Sequence, residues 1–293
     1  MFPVSKLRRL SKDDKKKSPS FWIKSVSSSV QTLNITNLLT GSDEGVNKLP
    51  SLLFGINVKV SKSVVDKLFG EVRKIPNKCM YGDDIRGPQL NMGFTNFAGK
   101  YRCTLMDKEM KLALFGNSTG LDVNIPSILK CHENKHVSLV YSLLLPIISM
   151  MDNCFKKSLP AMHNVQMKAT YDHFKLNNTC FNKVMLKITP ESADRGCKIH
   201  YDKYNYGYCA ILILFPSCTD KIKGGEQVII CSDNVYRMKC VHGDLFFGKY
   251  QNLLHCVTKC RRGHRGAIIA YTSNKIVNYC RMKDVYDNLW PRK

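Results

Sequence analysis

Two stretches of sequence decide the fold: Ile199–Phe215, IHYDKYNYGYCAILILF, and Gly224–Thr272, GGEQVIICSDNVYRMKCVHGDLFFGKYQNLLHCVTKCRRGHRGAIIAYT. Both alternate short runs of apolar, β-branched and aromatic residues with glycine, asparagine, aspartate or proline at turns. We therefore predict strands at Lys198–Asp202, Tyr208–Phe215, Glu226–Cys231, Val235–Cys240, Asp244–Phe247, Leu254–Thr258 and Gly266–Thr272. Short strands at this close spacing favour a sandwich or barrel of the jelly-roll type.

Three side chains on these strands could hold iron. His200 and Asp202 lie two positions apart, so the strand period places them on one face, and His255 follows on the penultimate predicted strand. Two histidines and one carboxylate on one face of an octahedron suit non-haem Fe(II), with three positions open for a cosubstrate and dioxygen. The alternative is an all-β domain without metal, in which the histidines are structural.

Arg265 adds a fourth element to this pattern, ten residues after His255 at the start of the last predicted strand. The planar guanidinium fork binds a carboxylate with two parallel hydrogen bonds, so Arg265 could hold a carboxylate deep in the barrel. Arg261 and Arg262 are nearby alternatives, but their run, KCRRGHR, is typical of an exposed hairpin tip.

The HYD motif, the distal histidine, the arginine, GGEQVI and the histidine-glycine-aspartate turn together resemble the Fe(II)/2-oxoglutarate dioxygenase superfamily, whose core is a double-stranded β-helix. The resemblance covers residues 182–273. It implies that His200, Asp202 and His255 are catalytic iron ligands and that Arg265 binds the distal carboxylate of 2-oxoglutarate. Fe(II) and 2-oxoglutarate are thus the implied cofactors.

Within that superfamily, HYDKYNYGYCAILIL is most similar to the TET/JBP group, which oxidises the 5-methyl group of pyrimidines in nucleic acid. The resemblance implies that Asn205, three residues after the aspartate, contacts the flipped base, for which an amide offers both a donor and an acceptor. Two features depart from the group. Ala267 stands where many relatives have a serine, and the cysteine-rich zinc-binding insert of animal TET proteins is missing.

The charge of the chain points to a polyanionic partner. It has 45 basic and 23 acidic residues, a net charge of +22, whereas solubility needs only a magnitude of about 2 to 8 for a small domain. Nucleic acid is the commonest polyanion, and we expect DNA rather than RNA. The basic clusters near the N-terminus could be a nuclear address, a phosphate-gripping arm or a solvated tail, and we expect a nuclear or nucleic-acid-associated protein.

The thirteen cysteines form no CxxC pair, and no secretory signal precedes them, so we expect reduced thiols rather than disulfides or a zinc finger. No uninterrupted apolar run reaches the roughly 18 to 20 residues that span a membrane, so we expect an intracellular protein with no membrane partner. We expect a monomer.

Four regions are predicted: a basic disordered tail at 1–29, a helical and mixed region at 30–180 that packs on the core, the jelly-roll core at 181–282, and a C-terminal tail at 283–293. Helices before the barrel and none inside it make the fold class α+β. Elements outside the jelly roll are predicted as helices at Ser61–Ile75, His136–Lys157 and Lys283–Trp290, with Pro146 kinking or splitting the second, and strands at Asn164–Tyr171 and Lys183–Thr189.

The sequence thus predicts a dioxygenase that hydroxylates the 5-methyl group of a flipped pyrimidine in DNA, with 5-methylcytosine the expected base and thymine left open. Three alternatives use the same fold. They are an AlkB-like enzyme that removes N-linked methyl groups from bases, a prolyl or lysyl hydroxylase, and a non-catalytic jelly-roll module that binds nucleic acid.

Overall fold

The computed structural model describes residues 29–33, 53–80, 89–96, 105–116, 123–189, 196–231 and 234–291. The predicted disordered tail lies outside these residues except for Ser29. The strands are β1 (Ser29–Leu33), β2 (Leu53–Asn57), β3 (Gln89–Thr95), β4 (Leu105–Met106), β5 (Asn124–Ile125), β6 (Ser127–Ile128), β7 (Lys183–Thr189), β8 (Cys197–His200), β9 (Asn205–Leu214), β10 (Lys223–Gly224), β11 (Gln227–Cys231), β12 (Asn234–Met238), β13 (Asp244–Gly248), β14 (Leu254–Val257), β15 (Cys260–Arg262) and β16 (Arg265–Ser273). The helices are α1 (Lys62–Val72), α2 (Lys108–Phe115), α3 (Lys135–Ser158), α4 (Pro160–Met167) and α5 (Asn274–Leu289), with short 3-10 turns at Asn77–Cys79, Lys130–Glu133 and Asp172–Phe174.

Two sheets form the jelly roll. The larger has the order β2-β13-β9-β16-β7-β3-β6 and the smaller the order β1-β12-β11-β14-β8. All seven strands predicted for this region are present, with ends shifted by up to three residues. The α+β class and the jelly-roll core are therefore confirmed.

The space between the sheets is filled by one cluster of side chains from both of them. It contains apolar residues at alternating positions of β9 together with residues of β11, β12, β13 and β16: Cys209, Ile211, Ile213, Phe215, Ile229, Tyr236, Met238, Phe246 and Ala267. Alternation on β9 follows from the strand period, because the even-numbered residues from 208 to 214 face the other side. The odd-numbered residues of β9 therefore face the interior between the two sheets, and the even-numbered residues face the helices.

The other face of the larger sheet packs against helices α1 and α3, which together supply about a third of the buried residues of the main core. Helix α3 confirms the predicted core helix, and Pro146 lies inside it without splitting it. Alone among the helices of the described ranges, α3 is long and apolar enough to cross a membrane by length and composition. Eight of its residues are buried, most of them in this core, so it buttresses the sheet.

Two predicted elements differ from the structure. The strand predicted at Asn164–Tyr171 is wrong, because the chain up to Met167 forms the separate helix α4, whose first position is taken by Pro160, where its fixed φ is suited. The helix predicted at Lys283–Trp290 is the second half of α5, which begins directly after β16. The eleven cysteines whose side chains the structure describes are free thiols, as predicted.

Candidate metal centre

The two histidines of the predicted triad face each other across neighbouring strands. His200 ends β8, and it pairs in register with His255 on β14. His255 is also opposite Ile229, which faces the barrel interior, so the His255 side chain points inward as well. The two imidazole rings lie 4.3 Å apart between centroids. The strand pairing therefore brings together residues that are far apart in sequence.

Asp202 is held differently from the prediction, since β8 ends at His200 and the aspartate lies in the following turn. Its backbone N–H donates to the Tyr250 carbonyl at 3.0 Å, and its carbonyl accepts from the Asn205 N–H at 3.1 Å. The Asn205 amide also donates to Asp202 Oδ2 at 3.1 Å. The turn, rather than the strand period, aims the carboxylate at the histidines.

Backbone carbonyls fix the tautomer of both histidines. His200 Nδ1 lies 2.6 Å from the Lys198 carbonyl, and His255 Nδ1 lies 2.9 Å from the Leu253 carbonyl. A carbonyl can only accept, so each Nδ1 carries the proton and each Nε2 presents a lone pair when the ring is neutral. This is the arrangement in which metal-binding histidines are usually oriented.

The donor atoms of this cluster have the spacing of a metal site. Asp202 Oδ1 is 3.4 Å from His200 Nε2 and 3.9 Å from His255 Nε2. A metal about 2.1 Å from two ligands at right angles would hold their donor atoms about 3 Å apart. Small movements would therefore close the three ligands on one ion. His255 is buried while the other two are about a quarter exposed, so the cluster has one open side.

The pKa values of the two histidines diverge. Burial lowers the pKa of His200, but hydrogen bonds to Asp202 and Cys197 outweigh it and raise that pKa to about 10. Burial, followed by the charge of His200, lowers the pKa of His255 to about 4. The carboxylate of Asp202 thus favours the protonated form of His200, a stabilising role towards positive charge that a bound cation could also satisfy.

Arg265 lies in the same interior, at the first position of β16, and is 4% exposed. Gly225 makes room for it, since a Cβ at that position would lie 3.1 Å from Arg265 Cδ. Arg265 Nε finds no hydrogen-bond partner among the described residues. A buried guanidinium with an unused donor fits an anionic ligand. Arg261 and Arg262 are exposed on β15, so they are not the interior cation.

Two further polar residues of this interior, Gln227 and Tyr250, were not among the predicted site residues. Gln227 Nε2 and the Tyr250 hydroxyl lie 2.8 Å apart, and both side chains are buried. The Tyr250 ring meets His255 edge-on at 4.9 Å between centroids. Only the GGEQVI motif pointed towards Gln227, and no pattern singled out Tyr250.

A second group of three potential ligands, which no sequence motif indicated, lies in the helical layer: Asp152, His163 and Cys180. His163 Nε2 lies 3.1 Å from Asp152 Oδ2, and the Cys180 N–H donates to Asp152 Oδ1 at 2.9 Å. Burial and the neighbouring carboxylate hold the pKa of the Cys180 thiol well above its usual range. With both carboxylate oxygens satisfied and the sulfur protonated, this cluster is accounted for as a structural hydrogen-bond network.

No protein-family model and no curated protein sequence matches the chain. Among solved structures, the chain is similar to NgTET1 in complex with 5mC DNA, at 12% identity and a TM-score of 0.53, over 76% of this chain and 72% of that one. It also matches an oxidoreductase of the 2OG-Fe(II) oxygenase family from Burkholderia pseudomallei, at 9% identity and a TM-score of 0.49, over 84% of this chain and 97% of that one. A Pseudomonas putida prolyl-4-hydroxylase matches at 12% identity and a TM-score of 0.43, over 81% and 99%. At these identities, the likeness to NgTET1 shows that the two chains share a fold.

Proposed function

We propose that the chain is an Fe(II)- and 2-oxoglutarate-dependent dioxygenase that hydroxylates the 5-methyl group of a pyrimidine, with 5-methylcytosine in DNA as its substrate. The observation that carries this proposal is the pairing of His200, Asp202 and His255 at the open side of the jelly roll with Arg265 buried in the same interior. The three ligands would hold Fe(II), and Arg265 would hold the distal carboxylate of 2-oxoglutarate.

The bound groups would supply the oxidation: dioxygen is reduced, one oxygen atom enters succinate as carbon dioxide leaves, and the other becomes the hydroxyl on the methyl carbon. The protein's own part is to hold the donor atoms. The Lys198 and Leu253 carbonyls fix the imidazoles, and Asn205 fixes Asp202 Oδ2, leaving Oδ1 towards the histidines. The apolar cluster between the sheets would shield the buried side of the bound groups from water.

Three observations support a nucleic acid substrate. The net charge of +22 exceeds what solubility requires. At the turn that carries Asp202, the Tyr204 ring is 58% exposed, with Lys275 Nζ 5.2 Å from its centroid. Exposed aromatic rings beside cations suit a strand of stacked bases and phosphates. NgTET1, which shares the fold, was solved with 5mC DNA.

A methyl group in a duplex lies in the major groove, out of reach of donor atoms recessed between two sheets, so the base must leave the stack. Unstacking costs a few kcal/mol, which contacts to the flanking phosphates would offset. Asn205 is 6% exposed, and its amide nitrogen already serves Asp202. We therefore assign Asn205 the positioning of that carboxylate, while direct contact between Asn205 and the base stays a prediction.

The test is nucleoside mass spectrometry after incubating the full chain with Fe(II), 2-oxoglutarate and DNA that contains 5-methylcytosine. We expect 5-hydroxymethylcytosine with equimolar succinate, and neither product from the Asp202→Ala variant. DNA with thymine only, DNA with N-methylated bases, and a proline-rich peptide are run in parallel. Succinate coupled only to N-methylated bases or to the peptide would overturn the substrate assignment but keep the oxygenase. DNA binding with no succinate from any substrate would favour a non-catalytic module.

A further inference from the structure

A carboxylate held by Arg265 would need a second donor. A carboxylate has about four lone-pair sites, and a single guanidinium fork serves two of them. Burying the remaining oxygen sites without a partner costs free energy. The next inward-facing residue of β16 is Ala267, which is 3% exposed and offers only a methyl group. The second donor would therefore come from another part of the fold.

Gln227 and Tyr250 form the pair that can supply it. Both are almost fully buried, and Gln227 Nε2 donates to the Tyr250 hydroxyl oxygen at 2.8 Å. The hydroxyl proton then points away from Gln227, whose Oε1 finds no partner among the described residues. If the amide is turned over, Tyr250 donates to Oε1, and the amide N–H groups take the unpartnered side. In either arrangement the pair presents a spare donor to the interior.

The Gln227–Tyr250 pair faces the same interior as Arg265 and the predicted metal ligands. Gln227 lies two residues before Ile229 on β11, so both face the interior, and Ile229 is directly opposite His255. The Tyr250 ring touches His255. Tyr250 also belongs to the same buried cluster between the sheets as Ala267, the next inward-facing residue after Arg265 on β16.

We propose that the Tyr250 hydroxyl, oriented by Gln227, is the second donor to the distal carboxylate of the 2-oxo diacid held by Arg265. Tyr250 is thus a binding residue for the cosubstrate and Gln227 a positioning residue. The proposal goes beyond the nucleobase assignment. It rests on the 2-oxoglutarate part of the proposed function and makes no use of the nucleic acid.

The experiment is anaerobic calorimetric titration of the Fe(II)-loaded full chain with 2-oxoglutarate and, separately, with 2-oxobutyrate, which lacks the distal carboxylate. We expect Tyr250→Phe to weaken 2-oxoglutarate binding about tenfold, the loss of one hydrogen bond to a charged group, and to change 2-oxobutyrate binding by less than about twofold. Gln227→Leu should weaken 2-oxoglutarate binding less, because it removes only the orientation of the hydroxyl.

Two further variants control the comparison. Tyr208→Phe removes a hydroxyl from the opposite face of β9, among the residues of the main core, and should leave both affinities unchanged. Ala267→Ser combined with Tyr250→Phe places a new hydroxyl beside Arg265 and should recover part of the 2-oxoglutarate affinity. Equal 2-oxoglutarate affinity in Tyr250→Phe and wild type, or equal losses for both ligands, would overturn this proposal alone. No 2-oxoglutarate binding by the wild type would overturn the cosubstrate assignment as well.

Discussion

Two clusters of three potential metal ligands occupy two different layers of this molecule. His200, Asp202 and His255 lie between the two sheets, and Asp152, His163 and Cys180 lie between the larger sheet and its helices. Each has a carboxylate within 4 Å of an imidazole. Ligand chemistry alone therefore does not separate a metal site from a structural network.

The two clusters differ in which partners the oxygen atoms of their carboxylates have. In the helical cluster, a backbone N–H and an imidazole take both oxygens of Asp152. In the barrel cluster, Asn205 takes one oxygen of Asp202, while the other faces two Nε2 atoms at 3.4 and 3.9 Å. In the helical cluster both carboxylate oxygens have protein donors, whereas in the barrel cluster Asp202 Oδ1 faces two imidazole nitrogens that could share a cation with it.

The largest effect expected from this comparison is on stability. Asp152→Ala would leave His163 and the Cys180 N–H buried without their acceptor, so we expect the free energy of unfolding to fall by about 3 to 5 kcal/mol. Asp202→Ala, at a partly exposed position, should cost about 1 kcal/mol in the absence of metal. Chemical denaturation of both variants measures the difference, and equal losses would contradict the distinction between the clusters.

For enzymatic activity we expect the opposite: variants of the barrel cluster should have the larger effect and variants of the helical cluster the smaller one. Replacing the ligand His255 with alanine should lower succinate formation by more than about 100-fold, since even outer-shell partners of metal ligands account for 10- to 100-fold. His163→Gln keeps a polar group beside Asp152 and should retain the wild-type rate per folded molecule. Comparable losses of turnover in the two variants would mean that the helical cluster also takes part in the reaction.

His132 provides a further test of the helical layer. The question is whether its buried polar groups stabilise the fold as neutral groups that are hydrogen-bonded to other parts of the protein. Its Nε2 accepts from the Gly93 N–H at 3.0 Å, and burial lowers its pKa to about 4. The unfolded chain binds this proton near pH 6.5, so stability is lost as the pH falls below that value. Between pH 7 and pH 5, His132 should account for a loss of about 2 kcal/mol.

The matched variant is His132→Gln, in which the amide oxygen can still accept from Gly93. Urea unfolding at pH 7 and pH 5 should show a smaller pH dependence for this variant than for the wild type, by about 2 kcal/mol. Identical pH dependence in both proteins would show that His132 is not the neutral acceptor described above.

The smallest expected effect separates two roles of Asn205. If its amide positions Asp202, Asn205→Ala should weaken Fe(II) binding about tenfold in the absence of DNA. If it contacts the base instead, Fe(II) affinity should stay at the wild-type value while the KM for DNA rises. Anaerobic Fe(II) titration and steady-state kinetics on the same preparation distinguish the two.

The strands of the jelly roll could be predicted because alternation and turn residues are local signals. Of the triad, His200 and Asp202 could be predicted to lie together because they are close in sequence, whereas His255 was assigned from its spacing and the family resemblance, and no local signal indicated the turn at Asp202. Contacts between side chains that are distant in sequence depend on strand register or on packing, and these could not be predicted. Gln227 and Tyr250 meet only when the barrel closes, and Asp152 meets Cys180 only where a helix crosses a loop.

The most direct test of the central claim is anaerobic Fe(II) titration, with metal content per chain measured for the wild type, Asp202→Ala and Asp152→Ala. We predict one tightly bound iron in the wild type and in folded Asp152→Ala, and none in Asp202→Ala. One iron retained in Asp202→Ala, or its loss only in Asp152→Ala, would contradict the assignment of His200, Asp202 and His255 as the metal centre.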